Sequence, residues 1–137
     1  MLIDSNVIIY ALNKTSFYYK KARSFIYTDP YRLIVAHQNI FECLRVLTHK
    51  TFPNTIQTKE AVEKITLAIQ PFTVISPTKI TATIALQLIH EHNLAGNAIF
   101  DAYLVATMIS NDVDTIATSN EKHFSYFSEI KVVNPFK

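Results

Sequence analysis

The chain has 137 residues, 49% of them hydrophobic, and a formal net charge of only +2 at pH 7, which by itself does not identify a polyanionic partner. This hydrophobic fraction excludes an intrinsically disordered chain, and no apolar run is long enough to cross a bilayer, so we expect no membrane segment. A single cysteine, Cys43, excludes a disulfide framework, and a single glycine, Gly96, excludes a glycine-rich phosphate-binding loop.

These properties also predict the organisation and the compartment of the chain. A chain of this length is typical of one domain, which we expect to span residues 1–137. The cysteine usage fits a reducing environment and we find no signal-peptide pattern, so the expected location is the cytoplasm. We interpret Cys43 as a small core residue rather than a nucleophile.

Short apolar runs alternate with longer stretches that have helical periodicity. In chain order, the predicted elements are a strand at 2–4, a helix or turn at 5–12, a helix at 16–29, a strand at 32–37, helices at 39–50 and 59–69, a strand at 72–76, helices at 78–92 and 97–110, and strands at 114–118 and 131–134. This alternation predicts an α/β fold with a mainly parallel sheet covered by helices on both faces. The helix at 97–110 is apolar nearly all round, so we expect it to be central and buried.

Asp4 stands where the first predicted strand meets the first helix, in the stretch LIDSN. A buried ionised carboxylate is costly unless something pairs with it or coordinates it. In open parallel sheets, ligands bind beyond the carboxyl ends of the strands, near a switch in strand order. From its position alone, Asp4 is either the N-cap of the following helix or a ligand-binding acid.

Two further acids lie in apolar helical stretches. Asp101 is the only charged residue in the run AIFDAYLVATMI, about one turn past the expected helix start at Asn97. Its apolar surroundings favour a functional role over a simple interaction with the helix dipole. Glu42 has apolar neighbours in QNIFECLRVL, but taken alone it is better explained by a surface pair with Arg45.

Asn120 follows the strand at 114–118, and taken alone it indicates only a turn. It lies at the same edge of the predicted sheet as Asp4, where the helices that carry Glu42 and Asp101 begin. Three carboxylates and an amide, with no Lys or Arg among them, would repel one another without a cation, and hard oxygen ligands favour Mg²⁺ or Mn²⁺ over zinc. Such a site can activate a water and stabilise the leaving oxygen in phosphodiester hydrolysis.

Four segments in this order resemble the PIN-domain ribonucleases, in particular the small VapC-type toxins of toxin–antitoxin modules. LIDSNVIIYAL is similar to the opening strand and turn of that family, with Asp4 as the first acid. IFECLRVLT and LAGNAIFDAYLVATMI resemble the helices that carry the second and third acids, Glu42 and Asp101. IATSNEKHFSYF and VVNPF resemble the closing strand, loop and last strand, so the resemblance covers almost the whole chain.

The resemblance implies a three-layer α/β/α sandwich and an endoribonuclease that uses Mg²⁺ or Mn²⁺ to cut RNA. It also implies a homodimer and a protein antitoxin of the VapB type as partner. Asp4, Glu42 and Asp101 are carried over as catalytic and metal-binding residues, and Asn120 is carried over as a catalytic residue.

The last loop departs from the family pattern, which often has Asp at the position of Asn120 and usually another Asp at that of His123. Asn is a weaker ligand than Asp, and His123 supplies no carboxylate, although its imidazole can donate to a phosphate or act as a base. Ser5 is an auxiliary candidate for orienting water or phosphate, and Thr118 for positioning Asn120. Both are equally well explained as hydrogen-bonding residues at strand ends.

Two other functions stay open from the sequence alone. Asn120 and His123 indicate a weakened site, which would make the chain an RNA- or protein-binding module that does not cleave. A phosphatase with Asp4 as nucleophile, as in haloacid-dehalogenase-like enzymes, would need a second acid at the position of Asn6.

Overall fold

The computed structural model describes the backbone of residues 1–137 and every side chain except that of Tyr31. The strands are β1 (Leu2–Ile3), β2 (Ile34–Ala36), β3 (Thr73–Ile75), β4 (Thr115–Ala117) and β5 (Lys131–Val133). The helices are α1 (Ser5–Leu12), α2 (Tyr19–Thr28), α3 (His37–Thr48), α4 (Thr58–Ile69), α5 (Thr81–Glu91), α6 (Ala98–Ser110) and α7 (Glu121–Phe124), with a 3₁₀ turn at Pro30–Arg32.

The five strands form one sheet in the order β3-β2-β1-β4-β5, and every pairing is parallel. β1 lies in the centre, where Leu2 is in register with Ile34 of β2 on one side and with Ile116 of β4 on the other. Strands β2 and β3 therefore lie on one side of β1, and strands β4 and β5 lie on the other. The crevice between the carboxyl ends of β1 and β4 is the switch point at which such sheets bind ligands.

The two residues of β1 point to opposite faces of the sheet, as the pleat of a strand requires. Ile3 packs into a core formed with α1 to α4, which includes Val7 and the buried Cys43. Leu2 packs into a second core formed with α5 to α7, which includes Leu104 and Phe127. Helices thus cover both faces, and the predicted three-layer α/β/α sandwich is confirmed.

Cys43 is fully buried, and burial raises the pKa of its thiol well above the ordinary value. The nearby carboxylates of Asp4 and Glu42 raise this pKa further. The thiolate, which is the nucleophilic form, is therefore disfavoured, and the interpretation of Cys43 as a core residue is confirmed.

Several boundaries differ from the predicted ones for local reasons. His37 is the first residue of α3 rather than the end of a strand, because the side chain of Asn39 accepts a hydrogen bond from the backbone nitrogen of Ala36 and starts the helix there. The helix predicted to start at residue 16 begins at Tyr19, after a turn. The loop predicted after β4 contains the short helix α7, which is too brief for a periodicity signal.

The prediction that the apolar 97–110 segment is buried is confirmed only beyond its first turn. α6 is buried over most of Ala102–Met108, but Ile99 and Phe100 in its first turn are exposed. The exposed turn lies at the carboxyl edge of the sheet, next to the candidate site. No helix in the described chain has the length and apolarity that crossing a membrane requires.

Replacing Phe127 by Ala tests the core on the α5–α7 face. Phe127 is 1% exposed and lies 5.2 Å, ring to ring, from His92, so its loss leaves a cavity that the sheet and α6 cannot fill without moving. We expect the free energy of unfolding, measured by urea denaturation, to fall by about 3–5 kcal/mol. The control is Phe17→Ala, at a position 91% exposed, for which we expect a change within about 0.5 kcal/mol. Equal losses in the two variants would contradict this assignment of the core.

Candidate active site

A cavity of about 720 Å³, called the acidic cavity below, opens at the carboxyl edge of the sheet between the first turns of α1, α3 and α6 and the loop after β4. Six of the seven predicted site residues line it: Asp4, Ser5, Glu42, Asp101, Asn120 and His123. The seventh, Thr118, is fully buried and donates a hydrogen bond to Asp4. The fold therefore brings the predicted residues together, while their roles in function stay predictions.

Asp4 is held in one orientation by three neighbouring groups. Its Oδ1 accepts a hydrogen bond of 2.8 Å from the backbone nitrogen of Ser5. Its Oδ2 accepts hydrogen bonds of 2.7 Å from both Thr118 Oγ1 and Asn6 Nδ2. Asp4 is thus the N-cap of α1, as one of the two explanations predicted, and the same carboxylate also lines the acidic cavity.

The ionised form of Asp4 is disfavoured despite these hydrogen bonds. Asp4 is only 6% exposed, and burial raises the pKa of its carboxyl above the ordinary value. Hydrogen bonds from Thr118 and Ser5 act in the opposite direction, and the negative charge of Glu42 raises the pKa again. An acid in this state gains most from a nearby positive charge.

Asn6 is a part of the site that the sequence analysis did not identify as one. Its amide nitrogen donates to Asp4 Oδ2 and, over 3.0 Å, to Thr118 Oγ1, while its Oδ1 accepts from the backbone nitrogen of Ser119. Asn6 therefore ties the start of α1 to the loop after β4. The available signal was its place two residues after Asp4, in the first turn of a helix that begins at the ligand-binding edge.

The hydroxyl of Thr118 connects Asp4 to Asn120. Thr118 Oγ1 donates to Asp4 and accepts a hydrogen bond of 3.0 Å from the backbone nitrogen of Asn120. This contact agrees with both explanations of Thr118, a residue that positions Asn120 and a hydrogen-bonding residue at a strand end, so its role stays a prediction. Asn120 itself is exposed and lines the acidic cavity.

Glu42 points toward Asp4 rather than toward Arg45. Ser5 Oγ lies 3.0 Å from Glu42 Oε2 and 3.3 Å from Asp4 Oδ1, so one hydroxyl bridges the two acids. Gln38 Nε2 donates to the other oxygen, Glu42 Oε1, over 3.0 Å. Among the side chains that the structure describes, Glu42 and Arg45 form no ion pair, so the surface-pair explanation of Glu42 is wrong.

Asp101 is half-buried and contacts His123, whose Nδ1 lies 3.2 Å from Asp101 Oδ2. Burial raises the pKa of Asp101, His123 opposes the rise through its charge and its hydrogen bond, and the charge of Glu42 adds to it. α7 presents His123 to Asp101 from across the cavity. The imidazole of His123 thus covers one oxygen of Asp101, the third predicted acid.

The donor set fits a hard divalent cation, although it is not assembled around one point. Among the described residues, no three carboxylate, imidazole or thiol groups lie close enough to hold an ion as they stand. Carboxylate oxygens are nevertheless the ligands that Mg²⁺ and Mn²⁺ prefer. Glu42 raises the pKa of both Asp4 and Asp101, and a cation would relieve this repulsion.

The parallel sheet, the helices on both faces and the carboxylate-lined cavity at the switch point define the class: an α/β protein with a candidate acidic active site. The sequence matches the family model of the PIN domain over residues 1–130. The chain therefore belongs to the PIN-domain family. A search among functionally curated proteins gave no significant match.

Solved structures with this fold include proteins of toxin–antitoxin systems. FitAcB from Neisseria gonorrhoeae aligns with a TM-score of 0.74 at 18% identity, over 98% of this chain and 96% of its own. A toxin–antitoxin complex from Klebsiella pneumoniae aligns with a TM-score of 0.70 at 19% identity, over 99% of this chain and 98% of its own. VapC20 from Mycobacterium tuberculosis, described as a toxin that cleaves the sarcin–ricin loop, aligns with a TM-score of 0.70 at 14% identity, over 94% of this chain and 97% of its own. At these identities the similarity establishes the common fold.

The variant Glu42→Gln tests the electrostatic coupling of the three acids. We expect it to lower the pKa of Asp4 and of Asp101, because it removes a negative charge that raises both. Carbon-13 chemical shifts of the carboxyl groups, followed by NMR through a pH titration, measure the change. The matched control is Glu60→Gln on α4, where Glu60 pairs with Lys64 away from the acidic cavity. Unchanged titration of both aspartates in Glu42→Gln would contradict the coupling.

The raised pKa of Asp4 also predicts how the free energy of unfolding changes with pH. The folded protein keeps the Asp4 proton to a higher pH than the unfolded chain does, so without metal the contribution of this group to stability falls as pH rises from the ordinary value through the raised one. In Glu42→Gln this fall is expected to be smaller. Urea denaturation across the acidic range measures it.

Proposed function

We propose that the chain is a divalent-metal-dependent endoribonuclease that hydrolyses RNA phosphodiester bonds, and that it is the toxin of a type II toxin–antitoxin pair. The observation that carries the proposal is the convergence of three carboxylates, Asp4, Glu42 and Asp101, on one cavity at the switch point of the sheet. Membership of the PIN-domain family and the fold shared with VapC20, described as a toxin that cleaves the sarcin–ricin loop, support it.

In this proposal Asp4, Glu42 and Asp101 hold Mg²⁺ or Mn²⁺. When bound, the ion would act as a Lewis acid that lowers the pKa of a water and stabilises negative charge on phosphoryl oxygens. Asp4 provides a carboxylate in a fixed orientation, because Thr118 and Asn6 donate to one of its oxygens. The Ser5 hydroxyl contacts both Asp4 and Glu42 and so holds the two carboxylates near each other.

The loop after β4 provides the groups that face the substrate on the other side. The amide of Asn120 is a neutral donor and acceptor at the wall of the cavity. His123 turns Nδ1 toward Asp101, so Nε2 is the ring nitrogen left to donate to a phosphate oxygen or to take a proton. In this proposal His123 is an auxiliary residue that contacts substrate.

The proposal includes a protein antitoxin of the VapB type and a homodimer as the assembled form. A relative described as a toxin–antitoxin complex and another, VapBC2 from Rickettsia felis, described as bound to a fragment of promoter DNA, support the antitoxin part. Symmetric dimers are the commonest assemblies of soluble oligomers.

Asp4→Asn and Asp101→Asn test the catalytic assignment. Because even partners that only support metal ligands contribute about 10- to 100-fold, we expect loss of a ligand to reduce RNA cleavage in Mn²⁺ at least about 100-fold. The matched control is Asp114→Asn, since Asp114 is exposed, lies before β4 at the opposite edge of the sheet and faces Lys131. Unchanged cleavage in the two site variants would contradict the mechanism.

Metal binding has its own test, which does not depend on activity. Mg²⁺ or Mn²⁺ at a hundredfold excess over its Kd is expected to stabilise the folded protein by about 2.7 kcal/mol, seen as a rise in Tm near pH 7. The rise should be lost in Asp101→Asn and kept in Asp114→Asn.

A binding module without cleavage is the second candidate, favoured by the neutral Asn120 and by the contact of His123 with Asp101. It predicts RNA binding with no metal-dependent rise in Tm and no cleavage. The thermal and cleavage measurements together therefore separate the two functions.

A further inference from the structure

Two exposed phenylalanines stand beside the candidate active site. Phe41 is 66% exposed on α3 and Phe100 is 61% exposed in the first turn of α6. Each directly precedes one of the acids, Glu42 or Asp101. Both rings line the acidic cavity, and exposed apolar side chains that share one cavity are typical of ligand-binding or interaction sites.

The two rings also line a second cavity, called the apolar cavity below. It measures about 340 Å³ and shares Gln38, Phe41 and Phe100 with the acidic cavity. The rest of its wall consists of His37, Pro77, Tyr103 and Thr107. The two cavities are therefore neighbouring compartments of one continuous surface.

Gln38 fixes the relation of the two rings to the acids. Its Nε2 donates over 3.0 Å both to Glu42 Oε1 and to the backbone oxygen of Phe100, so one amide ties α3 to the first turn of α6. Its Oε1 is buried and has no donor among the described residues. The amide therefore leaves one acceptor unused on the wall between the cavities.

The charges beside the rings are the three carboxylates of the acidic cavity and the guanidinium of Arg45, which suit a polar polymer better than an apolar protein segment. With a divalent cation on the carboxylates, as the proposed function requires, this surface suits a phosphate backbone. Arg45 lies one helical turn along α3 from Phe41 and lines the acidic cavity. Among the described side chains it forms no ion pair, so its guanidinium is available to a phosphate. A cation that contacts the backbone together with aromatic rings that contact bases is the combination by which proteins bind single-stranded nucleic acid.

We infer that the apolar cavity is a base-binding subsite, in which an unpaired nucleobase next to the phosphate in the acidic cavity stacks on Phe41 or Phe100. This rests on the proposed function, because it assumes that the acidic cavity takes a phosphodiester. The subsite therefore requires the nucleotide beside the scissile bond to be unpaired. In a duplex the bases are stacked on each other and cannot reach the rings.

The test uses a set of short single-stranded RNAs, each carrying 2-aminopurine at one position, bound to the full chain with Ca²⁺ in place of Mg²⁺ or Mn²⁺. Ca²⁺ also takes carboxylate ligands and keeps a cation in the acidic cavity, and a gel run after each measurement checks that the RNA is intact. Fluorescence of 2-aminopurine falls when the base stacks, and we expect this fall at one or two adjacent positions. Phe41→Ala and Phe100→Ala are expected to remove it and to weaken binding about 5- to 150-fold by fluorescence anisotropy. Phe100→Trp should keep both, and Phe17→Ala, at a still more exposed phenylalanine outside both cavities, should change neither.

Equal quenching and affinity in the wild type and the two alanine variants would overturn the subsite. A changed oligomeric state by light scattering in those variants, with RNA affinity unchanged, would also overturn it and assign the surface to a protein partner. Failure of the proposed function looks different: phenylalanine-dependent quenching with no cleavage in Mn²⁺ would refute the nuclease and leave the subsite standing. Cleavage in Mn²⁺ without phenylalanine-dependent binding would refute the subsite and leave the nuclease standing.

Discussion

The candidate site depends on one buried carboxylate at the centre of the sheet. Asp4 follows β1, which is paired on both sides, so its backbone position is set by the sheet itself. Burial would make this acid unfavourable without donors, and Thr118, Asn6 and the backbone of Ser5 provide them. The same three contacts join β1, α1 and the loop after β4. The arrangement that makes the buried acid tolerable is therefore also the arrangement that shapes the site.

The other two acids are held less firmly, and each by a different means. A serine hydroxyl joins Glu42 to Asp4, while a histidine on α7 contacts Asp101. Negative charge is thus spread over one cavity but only partly compensated, since Glu42 still raises the pKa of the other two acids. A site in this condition is better suited to a cation and a phosphate than to a neutral ligand.

Polar and apolar features of the edge are connected through α3. Gln38 contacts both Glu42 and the first turn of α6, and so relates the acids to the two exposed phenylalanines. The acids lie toward the sheet and the two rings toward solvent. Arg45 lies on α3, the helix that also carries Phe41. Chemistry at the phosphate and contact with a base would then be separate tasks of one surface.

The sequence alone determined the alternation of strands and helices, because apolar periodicity is a local property, and it singled out Asp4 and Asp101 as acids in apolar surroundings. It also placed Glu42 and Asn120 at the same edge through the order of the elements. Tertiary structure decided which way side chains turn: Glu42 toward Ser5 instead of Arg45, His123 toward Asp101, and Asn6 and Gln38 into the site. These contacts join residues as far apart as 113 positions, as between Asn6 and Ser119, and their geometry exists only once the sheet has brought β1 and β4 together. No local pattern encodes such distances, and the exposure of the start of α6 likewise follows from its place at the edge of the sheet. The helix α7 is not predicted from the sequence for another reason, because four residues are too few to show helical periodicity.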